Sequence, residues 1–459
     1  MSAEDAPKRA ALKEPTLARR IALEVLLRVE RDEAFANAAL QAALDGEPDL
    51  PARDAALASE LVLGSLRRQS RLDRALEAAL DRTMEKIELP IRAALRLGAL
   101  QLLFLRVPAR AAVDESVELV KARGLGRAAG FVNAVLRRLA REGEPALPEE
   151  PVERIAIEES HPPWLVRRWV RRLGLEATRA RCAANNRPAP LSLRVSRRAD
   201  PDDLARRLAE ARPGASIARG RFAPRALALS GAGSPARLPG MREGDFQPQD
   251  EAAQLVSCYA APAPGPFLDL CAAPGGKACH LAELGAAPIF AVDLSPRKLI
   301  RVADEAKRLG GLPVRPLAAD ARLPLPVPDG SMSQILVDAP CSGLGTLRRH
   351  PELRWRRLEA DSARLAALQR EILARAVAAL APGGVLTYAV CSTEPEEGSA
   401  QRDWLLSTYP ELRPDPPPPG FALPEADALA ASGALETSPE RSDTDGFYAV
   451  RLRRAVGPW

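Results

Sequence analysis

The feature that most constrains the fold is a series of short apolar segments in the C-terminal half of the chain. They have the composition of buried strands and lie at 267–270, 288–294, 314–320, 334–340 and 384–392. Helical stretches separate the first three segments and fill 356–380 before the last one. Strands that alternate with helices predict a parallel, doubly wound sheet, which binds its ligand at the carboxyl ends of the strands. Residues 445–454 predict a final strand.

The N-terminal part of the chain has the periodicity of helices instead. Apolar residues recur every four positions on one predicted helix face, beginning with Leu17, Ile21, Val25 and Val29. The same spacing returns near residue 139, and no alternating β-branched run interrupts the series. An all-α domain is therefore predicted over 16–142, after a disordered N-terminus at 1–15.

The middle of the chain, 143–245, combines two kinds of segment. Residues 143–160 are rich in Pro and Glu and are typical of a linker. A basic helix follows at 164–174, then a strand at 191–196 and a helix opened by acidic residues at 200–211. This pattern predicts a small α/β unit, whose arginines suit either an RNA-facing surface or a solvated helix face.

Amino-acid composition restricts the possible binding partners and the cellular compartment of the protein. The 65 Lys and Arg residues exceed the 60 Asp and Glu residues, and this basic balance suits a nucleic acid as well as a GC-rich genome. Aromatic residues, at 4%, are too few for a base-stacking platform. No apolar stretch is long enough to span a membrane, and the charged N-terminus does not resemble a signal peptide. Six cysteines without CxxC pairing and only three histidines argue against a metal site and favour the cytoplasm.

A glycine-containing turn follows the first predicted strand, in the segment DLCAAPGGKACHLAEL that begins at Asp269. A strand–turn–helix unit of this kind directs backbone amides at a ligand. Cys271 and Ala278 stand where a triphosphate-binding loop needs Gly and Ser or Thr, and the dinucleotide pattern GxGxxG is absent. The turn is thus either a packing feature or part of a different ligand site. Its candidate ligand-binding residues are Cys271, Ala272, Ala273, Pro274, Gly275, Gly276 and Lys277.

Acidic residues end the next two predicted strands. Asp293 comes roughly twenty residues after the glycines, where an acid can accept hydrogen bonds from ribose hydroxyls. Asp320 ends the third strand, where it can bind an adenine amino group. A glycine turn and two acids on successive strand ends predict a nucleoside cofactor that lacks phosphates.

Two cysteines follow the last two strands of the predicted sheet. Cys341 comes just after Asp338 in VDAPCSGLGTLRRHPELRW, and Cys391 lies in YAVCSTEPEEG. A lone cysteine is usually a small buried apolar residue. Two cysteines at strand ends, each followed by Ser, predict two thiols in one cleft. Cys271 and Cys279 lack this setting, and we interpret their thiols as structural.

These motifs resemble those of a known family. AAPGGK, DAPCSGLGTLRRHPELRW and CSTEPEEG are similar to motifs of the Sun-type RNA cytosine-C5 methyltransferases, and 245–256 resembles the segment ahead of their cofactor loop. The helical domain is similar to the NusB-type RNA-binding domain, notably in IRAALRLGALQLLFLRVPARAAVDESVELVK and FVNAVLRRL. This combination covers almost the whole chain and is similar to that of the bacterial 16S ribosomal RNA members of the family.

The resemblance implies a fold, a cofactor and residue roles. It implies a Rossmann-like class I methyltransferase domain at 246–459 that uses S-adenosyl-L-methionine to methylate carbon 5 of a cytosine in 16S ribosomal RNA, as a monomer. Cys391 is then the nucleophile that adds to carbon 6, and Cys341 assists product release. Asp338 binds the ring nitrogen and contributes to the cofactor site. DNA cytosine methyltransferases attack with their Pro-Cys thiol, so the chemistry alone leaves the choice of thiol open.

The chain departs from the family pattern at four places. Ala278 and Val390 each stand in place of Thr, Gly398 stands in place of Asn, and the TDGFY segment lacks a preceding His. None of these is a proposed reacting group, although Val390 changes the predicted pocket wall beside Cys391. Two alternatives to the 16S enzyme stay open: a cytosine-C5 methyltransferase for tRNA, another rRNA or DNA, and a non-catalytic RNA-binding factor of ribosome assembly.

Overall fold

A computed structural model describes residues 14–80, 82–419, 421 and 432–457. The described chain forms two compact units: one extends to Cys182 and includes His350–Trp355, and the other comprises Ala183–Arg349 and the chain from Arg356 onward. Of the segment 1–15 that the sequence predicts to be disordered, residues 1–13 lie outside the described residues. Within the described ranges, no helix is long and apolar enough to cross a membrane.

The first unit is built from helices, as the sequence predicts. The α-helices are α1 (Leu17–Arg31), α2 (Ala36–Asp45), α3 (Ala52–Arg67), α4 (Gln69–Ala78), α5 (Leu89–Leu103), α6 (Ala109–Ala122), α7 (Ala129–Glu142), α8 (Pro151–Glu158), α9 (Pro163–Leu173) and α10 (Leu175–Asn186). Helix α5 is apolar around most of its circumference and is correspondingly buried, with Leu95, Leu97 and Leu100 fully enclosed. The all-α prediction is confirmed.

The predicted linker at 143–160 needs a correction, because its second half forms helix α8. The Glu150 side chain accepts hydrogen bonds from the backbone N–H groups of Val152 and Glu153, and Pro151 occupies the first helical position. Both features favour the start of a helix, since Pro lacks an N–H that would be unpaired there anyway. The Pro and Glu residues that indicated a linker therefore form a capped helix start.

A short segment of the Pro-Cys motif belongs to the helical unit. Within His350–Trp355, Arg354 is fully buried and donates a hydrogen bond to the Ser160 carbonyl at 3.0 Å. The Glu352 carboxylate accepts from the Ala36 N–H at 3.1 Å. These contacts are long-range, and the sequence carries no local signal for them.

The second unit contains a small antiparallel sheet of four strands in the order β2-β3-β1-β4. The strands are β1 (Leu191–Val195), β2 (Ser216–Arg219), β3 (Ala226–Ser230) and β4 (Phe246–Pro248). Helix α11 (Pro201–Ala211) packs Leu204 and Leu208 against the apolar face of this sheet. The predicted small α/β unit is confirmed.

The larger sheet of the second unit has eight strands. They are β5 (Phe267–Leu270), β6 (Ile289–Asp293), β7 (Val314–Ala318), β8 (Met332–Asp338), β9 (Leu380–Val390), β10 (Leu412–Pro414), β11 (Leu435–Glu436) and β12 (Tyr448–Arg454). The accompanying helices are α12 (Glu251–Ala260), α13 (Gly276–Glu283), α14 (Pro296–Arg308), α16 (Asp361–Ala379), α17 (Ser399–Thr408) and α18 (Pro439–Ser442). The short helix α15 (Leu353–Arg356) belongs to the helical unit apart from Arg356.

The strand order creates a crevice between β5 and β8. The order is β10-β12-β9-β8-β5-β6-β7, with β11 on β12; β5 to β9 are parallel, and β12 is antiparallel to β9. The chain runs outward from β5 through β6 and β7 and then returns to β8 on the other side. Open α/β sheets bind ligands at such a reversal, beyond the carboxyl ends of the strands. The prediction of a doubly wound sheet is confirmed.

Candidate active site

The turn after β5 has a backbone that few side chains tolerate. Cys271 has φ 61° and Gly275 has φ 101°, both in the left-handed region. A Cβ at Gly275 would also come within 3.1 Å of the Val302 Cα. Gly275 directly precedes helix α13, whose first N–H groups are free of intrahelical partners and can face an anionic or polar ligand. The turn therefore brings backbone, rather than side chains, close to a ligand.

Asp293 ties the end of β6 to this turn. Its carboxylate accepts a hydrogen bond from the Ala273 N–H at 3.2 Å and another from the Ser295 N–H at 2.9 Å. The carboxylate thus orders the turn and also lies at the strand end where the sequence predicts ribose binding.

Asp320 has a different environment. The Arg322 guanidinium and backbone N–H donate to both of its oxygens, with the shortest contact, from Nη2, at 2.6 Å. The hydrogen bonds from Arg322 lower the pKa of Asp320 to about 2. The predicted adenine-binding carboxylate is ionised and is engaged by its own neighbour.

Lys277 bridges the two sides of the crevice. Its ammonium group lies 2.6 Å from the carboxylate of Asp338, the last residue of β8, and 5.0 Å from the centre of the Phe447 ring. Burial lowers the pKa of Lys277, but the charge and hydrogen bond of Asp338 outweigh it and raise the pKa above its ordinary value. The Cys391 sulfur is also close enough to act electrostatically on Lys277. A fixed positive charge therefore lies beside a predicted catalytic thiol.

Asp269 is a buried acid that the sequence analysis did not single out. It lies in the middle of β5, is fully buried, and neither carboxyl oxygen has a hydrogen-bond partner among the described residues. Burial, then the charge of Asp338, raises its pKa well above the ordinary value. Burial therefore disfavours the charged form of Asp269, whose only sequence signal is an acid inside an otherwise apolar strand.

The two predicted catalytic thiols are in direct contact. The Sγ atoms of Cys341 and Cys391 are 3.2 Å apart, and both side chains are partly exposed. This follows from the register of β8 and β9, in which Asp338 is paired with Ala389. The hydrogen bond with Cys391, then burial, raises the pKa of Cys341 well above its ordinary value. At this separation either thiol can donate its S–H to the other sulfur.

The other cysteines of the second unit are not suited to nucleophilic attack. Burial raises the pKa of Cys258 to about 11 and that of Cys279 to about 12, and it also raises the pKa of Cys271. A thiol is reactive as its thiolate, so these groups stay inert near neutral pH. Val390, in place of a Thr, is fully buried in the sheet core beneath Cys391.

A further acid, Glu397, lies under the thiols. It is fully buried and accepts hydrogen bonds from the hydroxyls of Ser342 and Ser392, the residues that follow the two cysteines. The Cys-Ser pair at both strand ends indicates that the two serines lie near each other. That their shared partner is Glu397 was not predictable from the local sequence pattern.

The crevice fits a nucleoside cofactor. A Cβ at Gly275 would crowd Val302 at 3.1 Å, and among the described residues the two buried oxygens of Asp269 have no hydrogen-bond partner. Leu294 and Leu323, 67% and 58% exposed, lie beside the acids that end β6 and the β7 segment, where an adenine ring needs apolar contacts. The residues present therefore suit S-adenosylmethionine.

Comparison with known proteins covers most of the chain. Family models match residues 261–453 (16S rRNA methyltransferase RsmB/F), 16–141 (NusB family) and 161–235 (RsmF/B-like methyltransferase, ferredoxin-like domain). The ribosomal RNA small subunit methyltransferase B of Pseudomonas putida is 37% identical over 94% of this chain and 97% of its own length. Rv1407 of Mycobacterium tuberculosis is 39% identical over 95% of this chain and 96% of its own. The crystal structure of PH0851 has a TM-score of 0.83 and 26% identity, and covers 96% of this chain and 100% of that one.

The doubly wound sheet, its glycine turn and these matches define an S-adenosylmethionine-dependent RNA methyltransferase. Its helical domain is NusB-like. The chain belongs to the 16S rRNA methyltransferase RsmB/F family.

Proposed function

We propose that this enzyme methylates carbon 5 of a specific cytosine in 16S ribosomal RNA through a covalent bond between Cys391 and carbon 6. The observation that carries the proposal is the 3.2 Å contact between the Cys341 and Cys391 sulfur atoms at the crevice of a methyltransferase sheet. The substrate rests on the relatives, since the Pseudomonas putida protein is named for the small ribosomal subunit.

Cys391 is proposed as the nucleophile because two neighbouring groups can stabilise negative charge that develops on its sulfur. The Cys341 thiol can donate a hydrogen bond to it, and the Lys277 ammonium adds a nearby positive charge. Addition of the thiolate to carbon 6 breaks the aromatic system and makes carbon 5 electron-rich. S-adenosylmethionine, when bound, supplies the electrophilic methyl group that carbon 5 takes; the turn 271–277, Asp293, Asp320 and Asp338 would hold it.

Asp338 is proposed to stabilise the adduct. Addition at carbon 6 leaves extra electron density on the ring, which is relieved when the ring nitrogen takes up a proton from solvent. The Asp338 carboxylate, held by Lys277 at 2.6 Å, can accept a hydrogen bond from that N–H. The base must first leave its stack to enter the crevice.

Cys341 is proposed to act in the last step. While Cys391 is a thiolate, its hydrogen bond and charge hold the Cys341 pKa high. Once Cys391 is bonded to carbon 6, these causes are removed and Cys341 can ionise more readily. The Cys341 thiolate then takes the proton from carbon 5. The C5–C6 double bond re-forms as the C6–S bond breaks, Cys391 leaves as a thiolate, and the ring nitrogen returns its proton to solvent.

The helical domain 16–142 and the small unit 143–245 are proposed to bind the RNA, supported by the NusB-family match and the net charge of +5. Binding through Arg–phosphate contacts releases counterions and should weaken as salt rises. We expect the enzyme to act as a monomer in the cytoplasm.

The test is methylation of defined RNAs by the purified full chain with labelled S-adenosylmethionine, followed by bisulfite mapping. We expect 5-methylcytosine at one position of 16S ribosomal RNA. Transfer RNA, 23S ribosomal RNA and DNA serve as matched substrates. Methylation confined to one of these would reassign the substrate, and RNA binding without methylation of any of them would overturn the enzymatic proposal.

A further inference from the structure

The Glu397 carboxylate connects the two loops that carry the thiols. Its Oε1 accepts from the Ser342 N–H at 2.7 Å and from Gln369 Nε2 at 3.3 Å. Its Oε2 accepts from the hydroxyls of Ser342 and Ser392, at 2.5 and 2.6 Å. The backbone N–H and the amide can only donate, so Oε1 accepts from both, while Oε2 faces the two hydroxyls. One buried group thus holds one residue from each loop.

The attachment points are next to the sulfur atoms. Ser342 follows Cys341 and Ser392 follows Cys391, and the two hydroxyl oxygens lie 3.1 Å apart, much like the two sulfurs at 3.2 Å. Glu397 itself is fixed, since its carbonyl accepts from the Tyr388 hydroxyl at 2.5 Å. A shift of either serine on Glu397 would therefore move the adjacent thiol.

We propose that Glu397 is a positioning residue that holds the Cys341 and Cys391 loops at the spacing that puts the two thiols in contact. The role rests on the proposed function, because only a two-thiol mechanism needs this spacing. The proposal goes beyond that function because it names the residue that sets the distance between the two thiols.

The same carboxylate also sets the electrostatics of one thiol. The titratable and charged groups that face Cys341 are Cys391, Glu397, Tyr388 and, through the Ser342 carbonyl, Arg357. The Glu397 charge opposes ionisation of Cys341, after the larger effects of the hydrogen bond with Cys391 and of burial. Glu397 therefore favours the state in which Cys341 donates its proton to Cys391.

The experiment uses the free full-length protein, so it does not depend on RNA methylation. Phenylarsine oxide bridges two thiols only when they are close, and its dissociation constant reports the Cys341–Cys391 spacing. The variants are Glu397→Ala and Glu397→Gln, with the exposed Glu371→Gln on helix α16 as a control that loses the same charge. Cys341→Ala shows that the bridge uses this pair.

We expect the dissociation constant to rise about tenfold in Glu397→Ala, because the effective concentration of one thiol at the other falls when the loops separate. Glu397→Gln should show a smaller rise, since neutral hydrogen bonds replace charge-assisted ones. Its iodoacetamide alkylation at Cys341, followed by mass spectrometry, should begin at a lower pH than in wild type. A purely structural role would not produce that shift.

Wild-type arsenical affinity in Glu397→Gln together with an unchanged Cys341 alkylation profile would overturn the proposal. If the Glu397→Ala variant does not fold, the arsenical affinity and the Cys341 alkylation profile of Glu397→Gln test the proposal on their own. A protein that passes both thiol tests but methylates no RNA would contradict the proposed function and leave the positioning role intact.

Discussion

The Lys277 ammonium lies 2.6 Å from the Asp338 carboxylate, so the residue that ends the cofactor turn is paired with the residue that ends strand β8. Strands β5 and β8 are neighbours in the sheet, and the connections that follow them run in opposite directions. The ion pair therefore closes the floor of the crevice at the point where the strand order reverses.

Removal of this pair should lower stability over a defined pH range. Lys277→Gln leaves a partly buried Asp338 without its partner, at a cost of about 1–3 kcal/mol. The folded pKa of Lys277 lies above the ordinary 10.5, so its contribution is complete below that pH and is lost as pH rises through the folded value. The thermal-unfolding difference from wild type should be constant from about pH 6 to about pH 9. The exposed Lys298→Gln is the control, and an equal effect of both variants would count against the pair.

Loss of Asp293 should weaken cofactor binding. Asp293→Ala removes the acceptor at the end of β6 and releases the Ala273 N–H of the turn. Calorimetry should show S-adenosylmethionine binding weakened by about 1–3 kcal/mol, the cost of a buried hydrogen bond left unmade. Asp304→Ala, an exposed acid on α14, should bind normally. Unchanged affinity in a folded Asp293→Ala variant would remove Asp293 from the site.

Substitution of Cys391 and of Cys341 should stop the methylation reaction at different steps. Cys391→Ala should abolish both methylation and any covalent RNA adduct, because removal of the attacking thiol stops the first step. Cys341→Ala should still form the adduct but fail to resolve it, so protein–RNA complexes should accumulate on denaturing gels. Cys279→Ala, whose thiol is buried away from the pair, serves as the control. The reverse gel pattern would make Cys341 the nucleophile, and activity in both variants would exclude covalent catalysis.

Two buried histidines should make stability fall in mild acid. Burial, then the charge of Arg354, lowers the pKa of His161 well below 6.5; burial, then Arg194, lowers that of His280. The unfolded chain therefore binds more protons below pH 6.5, and each histidine should reduce stability by up to about 1.4 kcal/mol per pH unit as pH falls toward the folded pKa. Unfolding of His161→Leu and His280→Leu between about pH 6.5 and about pH 5 should show a shallower slope than wild type. A slope equal to that of wild type would refute this origin.

Several features of the fold and site were predictable because their signals are local. Strand β5 occupies 267–270, the predicted range, since a short segment of three apolar residues and one acid between turn signals leaves few alternatives. The order of strands and helices determines the doubly wound sheet, and parallel strands bring their carboxyl ends to one edge. That rule alone predicts that Asp338, Cys341 and Cys391 share a cleft.

Only the tertiary structure decided which groups touch. Glu397 binds both serines, Arg322 engages Asp320, and Asp269 stays unpaired in a buried strand among the described residues. His350–Trp355 packs in the helical unit, far along the chain from its partners. Periodicity and turn chemistry act over a few residues, whereas these contacts depend on side-chain positions in segments distant in sequence. The hydrogen bond with Cys391 that raises the pKa of Cys341, and the burial that raises the pKa of Asp269, exist only once those segments have packed together.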